Sequence, residues 1–92
     1  MSAMSQNRRR VAAFMKIGAE ELQAAGRLLA DFPDQSMFFL QQSAEKFLRA
    51  VIEAEGKTAS ITHNIRVLAD ILGEDHPLFP TFVDLQDLSS AA

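Results

Sequence analysis

The sequence predicts an all-α fold, an antiparallel four-helix bundle made of a long helical hairpin and two shorter helices. Two observations predict it: apolar residues recur at alternating steps of three and four, and no stretch alternates every second residue as a strand would. The chain has 92 residues, of which 48% are apolar, which suits one packed domain. We therefore expect a single domain over residues 1–92, with flexible ends at residues 1–7 and 89–92.

Helix one is predicted from a continuous apolar row. Gly18 lies on this row and would let a neighbouring helix approach closely. Pro33 ends the helix, because a proline disfavours helical geometry at the preceding residue, Phe32. The row consists of Val11, Met15, Gly18, Leu22, Ala25, Leu29 and Phe32.

Helix two follows after a very short connection, so we expect the two long helices to form an antiparallel hairpin. Asp34 is the predicted N-cap, since its carboxylate can accept backbone N–H groups of the first turn. Gly56 is predicted to end the helix in a left-handed conformation. The inward row consists of Met37, Leu40, Ala44, Phe47, Val51 and Ala54.

Two shorter helices complete the predicted bundle. Thr62 is the predicted N-cap of helix three, which Gly73 ends. Pro80 is predicted at the first position of helix four, where its missing N–H costs nothing. The residues expected to face inward are Ile65, Leu68, Ala69, Leu72, Phe82, Leu85 and Leu88.

Charge and composition exclude several classes of protein. The net charge is −3, and residues 1–16 hold four bases and no acid, so the rest of the chain is acidic. We therefore do not expect a broad nucleic-acid surface, or RNA as a partner, and we interpret Arg8, Arg9 and Arg10 as a solvated terminus. The absence of cysteine and of a bilayer-length apolar run leads us to expect a cytoplasmic protein with no membrane partner.

Motifs for catalysis are absent from the sequence. Neither glycine-rich phosphate loop is present. His63 and His76 are the two histidines and form no His-Glu-x-x-His motif, so we expect no metal and no cofactor. No carboxylate has a context that marks a general acid or base. The sequence thus favours a protein that is not an enzyme.

A polar stripe on helix two is the candidate site. Gln42, Glu45 and Arg49 step by three and four along one flank, Lys46 lies alongside, and Phe38 begins the stripe. The stripe is interpreted in three ways that stay open. It is a solvated face with a Glu45–Arg49 pair, a polar rim around a dimer contact, or a nucleotide site that uses stacking and phosphate pairing.

His63 and two phenylalanines extend these alternatives. His63, directly after Thr62, is expected at the start of helix three, where it either locks onto helix two by a hydrogen bond or contacts a ligand. Phe38 and Phe39 point away from the main apolar row. They indicate a symmetric homodimer, unless the shorter helices cover them.

The order of these segments resembles the HEPN domain (higher eukaryotes and prokaryotes nucleotide-binding). The resemblance is carried by FFLQQSAEKFLRAVIEAEG at residues 38–56 and THNIRVLADIL at residues 62–72, and it covers residues 11–73. It implies a helical bundle of a short stand-alone type that commonly dimerises. It also implies a nucleotide, or a minimal nucleotidyltransferase in a toxin–antitoxin pair, as a partner. Carried over by position, the residues at stake are Gln42, Glu45, Lys46, Arg49 and His63.

The sequence departs from the ribonuclease members of that family. Their motif is an arginine followed by four to six residues and a histidine, whereas thirteen residues separate Arg49 from His63 and nine separate Arg66 from His76. The resemblance also implies a longer last helix, which leaves a short natural form and a truncated product as alternatives. The leading hypothesis is a non-catalytic binding and dimerisation module. The alternatives are a metal-independent ribonuclease with a site assembled across a dimer and a purely structural interaction domain.

Overall fold

The computed structural model describes the backbone of residues 3–59 and 62–91 and the side chains of residues 6–59 and 62–87. Its elements are α1 (Ala3–Leu28), α2 (Pro33–Ala54), α3 (Ile65–Leu72) and α4 (Phe79–Ala91). These described ranges contain no strand. The predicted all-α fold with a long hairpin and two shorter helices is confirmed.

Helix α2 is the central element of the fold. Within the described ranges, α1 packs against α2 and contacts neither α3 nor α4. The two shorter helices pack on the other side of α2 and on each other. The molecule is therefore layered, with α2 between α1 and the α3–α4 pair.

The hydrophobic core lies between α2 and the two short helices. Leu48, Ile52 and Leu68 are completely buried there. Val51 and Leu85 pack against this core from its edges. The remaining buried members are Ala44, Ile65, Ala69, Leu72 and Phe82. The predicted inner face of α3 is confirmed in full, while the side chain of Leu88 lies outside the described residues.

The predicted apolar row of α1 is only partly correct. Gly18 and Ala25 are buried against α2, but Met15, Leu22 and Leu29 are exposed, as is Phe32 in the turn. The row that faces α2 shares Gly18 and Ala25 with the predicted row, but each of its other members precedes a predicted residue by one position. These members are Phe14, Glu21 and Leu28, and all five residues are buried or half-buried. The physical reason is that α1 carries apolar residues on two adjacent stripes, and polar Glu21 belongs to the inner one because α2 supplies a lysine partner.

Close contact between α1 and α2 is built from small residues. The Ser43 hydroxyl donates to the Gly18 carbonyl at 2.7 Å, and the Ser36 hydroxyl donates to the Ala25 carbonyl at 2.6 Å. A Cβ at Gly18 would lie 3.0 Å from Cε1 of Phe47, so the predicted close approach at this glycine is confirmed. Leu48 and Ile52 are the most buried residues of α2, although neither belongs to the predicted inward row. The reason is that α2 packs on two sides and therefore buries more than one row.

The hairpin turn differs from the predicted cap. Pro33 occupies the first position of α2, and the N-cap is Phe32, whose side chain makes no capping bond. The prediction of Asp34 as N-cap is therefore wrong. Asp34 lies in the first turn, where its charge is stabilised by the positive end of the helix dipole.

The end of α2 is as predicted. Gly56 has a φ of 77°, and its N–H donates to the Glu53 carbonyl at 3.0 Å. The Lys57 N–H donates to the Ile52 carbonyl at 3.0 Å. This pair of bonds is a Schellman motif, which satisfies two carbonyls of the last turn.

Helix α3 is capped by Asn64. Its side-chain oxygen accepts from the N–H groups of Arg66 and Val67, so the prediction of Thr62 as N-cap is wrong, as is the placing of His63 inside the helix start. Thr62 instead accepts from the Asn64 N–H at 3.2 Å, and His63 lies in the non-helical segment before the cap.

The ends of the short helices follow the glycine and proline signals closely. Gly73, with a φ of 106°, ends α3 as predicted. The prediction of Pro80 at the first position of α4 is wrong by one residue, because Phe79 begins the helix and Pro80 is its second residue. Its missing N–H therefore falls within the first turn, where helical N–H groups have no intrahelical partner.

Candidate functional site

Glu45 is the centre of the polar stripe on α2. Glu45 is buried, with only 2% of the residue exposed to solvent. Three basic side chains surround it: Nδ1 of His63 lies 2.7 Å from Oε1, Nη2 of Arg49 lies 3.6 Å from Oε1, and Nζ of Lys46 lies 3.8 Å from Oε2. A buried carboxylate requires such partners, because its desolvation is otherwise very costly.

Lys46 links the cluster to α1. Its Nζ lies 3.3 Å from Oε1 of Glu21 and 3.4 Å from Oε1 of Gln42, one turn earlier on α2. Glu21 was not among the predicted site residues. Its spacing could have indicated it, because Glu21 comes three residues after Gly18 and four residues before Ala25. A residue at that spacing lies on the side of α1 that faces α2.

Arg49 links the cluster to the segment before α3. Its guanidinium donates to the Thr62 carbonyl and also faces Glu45. The arginine thus holds the chain that carries His63 against α2. Thirteen intervening residues separate Arg49 and His63 in sequence, yet the fold brings both to the same oxygen of Glu45.

His63 combines a fixed nitrogen with an open one. Its side chain is 85% exposed, although Nδ1 is within hydrogen-bond distance of Glu45. The carboxylate oxygen accepts, so Nδ1 is assigned as the donor. Nε2 has no hydrogen-bond partner among the described residues. The hydrogen bond to α2 is the contact that the sequence predicted for a structural lock.

Phe38 lies apart from the polar cluster. It is 56% exposed and packs edge-to-face on Phe39, with ring centroids 5.6 Å apart. Its position is one helical turn before Gln42, so an aromatic surface borders the cluster. The structure thus gathers Gln42, Glu45, Lys46, Arg49 and His63 and places Phe38 at their edge.

A second polar contact joins the start of α1 to the end of α2. Asn7 donates to the Glu53 carbonyl at 2.8 Å, and Nη2 of Arg10 lies 3.2 Å from Oε2 of Glu53. Arg10 therefore does not belong to a wholly solvated terminus, which corrects the prediction for the arginine triplet. Arg8 and Arg9 are exposed, as expected.

The other histidine has a structural setting. Nδ1 of His76 accepts from the Leu78 N–H at 3.1 Å, and Nε2 lies 2.8 Å from Oε1 of Glu55. These contacts tie the turn before α4 to the end of α2. No group of three histidine, aspartate or glutamate side chains among the described residues is arranged to hold a metal ion.

The cluster is suited to two kinds of chemistry. Its positive side chains are already paired with Glu45 and Glu21, so an incoming anion would have to displace one of these carboxylates or share a cation with it. An imidazole oriented by a carboxylate, with its second nitrogen open, is also the geometry of a proton acceptor or donor.

None of the described helices has the length and apolarity needed to cross a membrane.

The fold and this cluster define a small all-helical domain whose central helix carries a buried carboxylate bound by three bases. The HEPN domain model matches residues 11–91, nearly the whole chain and further than the predicted 11–73. The chain belongs to the HEPN domain family, whose members are nucleotide-binding and ribonuclease-type modules. No curated protein and no solved structure matches it.

Proposed function

We propose that this chain is a non-catalytic HEPN binding module that forms a homodimer and binds a nucleotide or a minimal nucleotidyltransferase in a toxin–antitoxin-type system. The observation that carries the proposal is that all three bases at Glu45 are bound within the chain, while Phe38 at the edge of the cluster remains exposed. A contact surface fits this arrangement, because charged groups held in place orient a partner and exposed apolar groups supply the affinity.

The partner surface in this proposal begins at Phe38. Its exposed ring offers a face for stacking a base or an apolar side chain. Lys46 and Arg49, about two and three turns further along α2, supply positive charge for phosphates or acidic side chains. Nucleotide and nucleotidyltransferase are therefore both compatible with the same flank.

Calorimetric titration with ATP and GTP, together with co-purification with the nucleotidyltransferase encoded nearest to this chain, tests the binding role. Phe38→Ala is expected to weaken either interaction by about tenfold or more, the loss typical of a buried aromatic anchor. Val67→Ala is the matched control, since Val67 is also exposed but lies on α3. Wild-type protein that remains monomeric by light scattering and binds neither nucleotide nor transferase would refute the proposal and leave a purely structural interaction domain.

A ribonuclease is the second candidate, and one observation favours it. Arg49 and His63 converge on Glu45 although the family's short arginine–histidine spacing is absent, and the His63 side chain is 85% exposed. In this alternative, His63 would exchange a proton with the RNA 2′-hydroxyl or the leaving group.

Incubation with single-stranded RNA in the presence of a metal chelator distinguishes the two candidates. A ribonuclease would lose cleavage in His63→Ala and keep it in His76→Ala, because His76 is tied to Glu55 away from the cluster. Cleavage that persists unchanged in both variants would indicate a contaminant. Under the binding proposal, none of the purified proteins cleaves RNA.

A further inference from the structure

Helix α1 carries a second helix-packing seam that this chain does not use. Its members follow steps of three and four, and each one is exposed. The seam lies beside the row that packs on α2, and neither α3 nor α4 reaches it within the described residues. Its six residues are Ala12, Met15, Ala19, Leu22, Gly26 and Leu29.

Small and large residues alternate along this seam. Ala12, Ala19 and Gly26 occupy one heptad position, while the larger residues Met15, Leu22 and Leu29 occupy the other, which is the spacing of a coiled-coil seam. A Cβ added at Gly26 would meet nothing within 4 Å, so space is open there. The seam therefore has pockets and knobs in equal number.

Only one orientation of a second α1 matches knobs to pockets. In an antiparallel pair, Ala12 faces the partner's Leu29, Met15 faces the partner's Gly26, and Ala19 faces the partner's Leu22. A parallel pair instead sets large residues against large ones and small against small, which leaves gaps between bulky contacts.

Charge at the two ends of the seam selects the same orientation. Arg8 and Arg9 precede it and are exposed, and Asp31 and Asp34 follow it and are exposed. Antiparallel packing brings the arginines of each protomer to the aspartates of the other. Parallel packing would bring arginines to arginines, and like charges in an interface cost binding energy.

We propose that a second copy of this chain docks on the seam, with the two α1 helices antiparallel and a two-fold axis passing between Ala19 and Leu22. This inference rests on the homodimer of the proposed function and names the surface that forms it. The contact is isologous, so it closes at two subunits. Six residues per protomer make a small interface, so dimerisation depends on protein concentration.

Sedimentation over a range of concentrations tests the surface. Leu22→Glu is expected to weaken the dimer at least tenfold, because it puts two like charges next to the two-fold axis. Val67→Glu, on an exposed position of α3, is the control and is expected to leave the dimer unchanged. A dimer that survives Leu22→Glu would overturn this inference while the proposed homodimer stands, and a wild-type monomer at all concentrations would overturn both.

Cross-linking tests the orientation. Because the chain has no cysteine, an introduced cysteine is its only thiol. A mixture of Ala12→Cys and Leu29→Cys proteins is expected to give a heterodimer with a short thiol cross-linker. Each variant alone is expected to give little, because antiparallel packing separates identical positions by about 26 Å. Efficient cross-linking of Ala12→Cys alone would show a parallel pair and refute the inference.

Discussion

Glu45 sets the properties of the candidate site. It is buried on a helix that packs on both sides, and it is the common partner of Lys46, Arg49 and His63. These contacts join three parts of the chain, namely α1 through the lysine, α2 itself and the segment before α3 through the histidine. The carboxylate therefore acts as a structural junction whatever ligand the flank receives.

Replacing Glu45 with glutamine is expected to destabilise the fold by about 2–4 kcal/mol, because it removes the carboxylate that faces the half-buried Arg49 and is one of the two carboxylates at Lys46. Urea unfolding measures the loss. The control is Asp70→Asn, which breaks the exposed Arg66–Asp70 pair and is expected to cost less than about 1 kcal/mol. Equal effects of the two variants would show that the cluster contributes no more than a surface ion pair.

Most of the candidate site could be predicted from the sequence, but Glu21, which pairs with Lys46, was missed, and the burial of Glu45 could not be predicted. Gln42, Glu45 and Arg49 follow helical spacing, so their common flank is visible in the sequence. The burial of Glu45 is not, since it depends on a histidine that folds back from a separate segment. Hydrophobic patterns assign carboxylates to the surface by default.

At the scale of elements, the apolar pattern predicts the four helices, but it does not decide which side of α1 packs against α2. Each inner residue has an apolar or small neighbour that fits the other stripe, as Phe14 has Met15 and Leu28 has Leu29. The deciding signal was the small residues of α2, where Ser36 and Ser43 are seven apart and face Ala25 and Gly18. Seven-residue spacing of small side chains indicates close helix packing even when the residues are polar.

Two glycines of α1 are expected to respond oppositely to alanine. Gly18→Ala forces a methyl group to within 3.0 Å of Phe47, so overpacking offsets the gain in helix propensity and the variant is expected to be less stable by about 1 kcal/mol. Gly26→Ala meets no atom and is expected to be more stable by up to about 1 kcal/mol. Thermal unfolding at low protein concentration compares them, and stabilisation by both would show that the α1–α2 contact can yield.

At the scale of the whole molecule, stability is unevenly distributed among the layers. The completely buried side chains Leu48, Ile52 and Leu68 lie between α2 and the short helices. On the described part of α1, the buried residues are Gly18 and Ala25, which contribute little apolar area. We expect α1 to open before the rest of the fold.

Native-state hydrogen exchange in low urea measures this order of opening. Amides in the middle of α1 are expected to exchange with a smaller opening free energy than those around Leu48 and Leu68. In the dimeric state, the protection of α1 is expected to rise with protein concentration. Uniform protection of α1 and α2 in the monomer would show a single cooperative unit instead.

Pro33 has a consequence for the integrity of the hairpin. The turn between α1 and α2 is short, and Phe32 leaves helical geometry with a φ of −137° because of the following proline. Because a proline disfavours helical geometry at the preceding residue, we infer that Pro33 opposes one continuous helix through the turn, the form in which α1 could pack on α2 of a neighbouring molecule. In a Leu22→Glu background, Pro33→Ala is expected to permit this exchange, giving a dimer that separates on size exclusion and persists after dilution. Pro33 thereby favours packing of α1 on α2 of the same molecule.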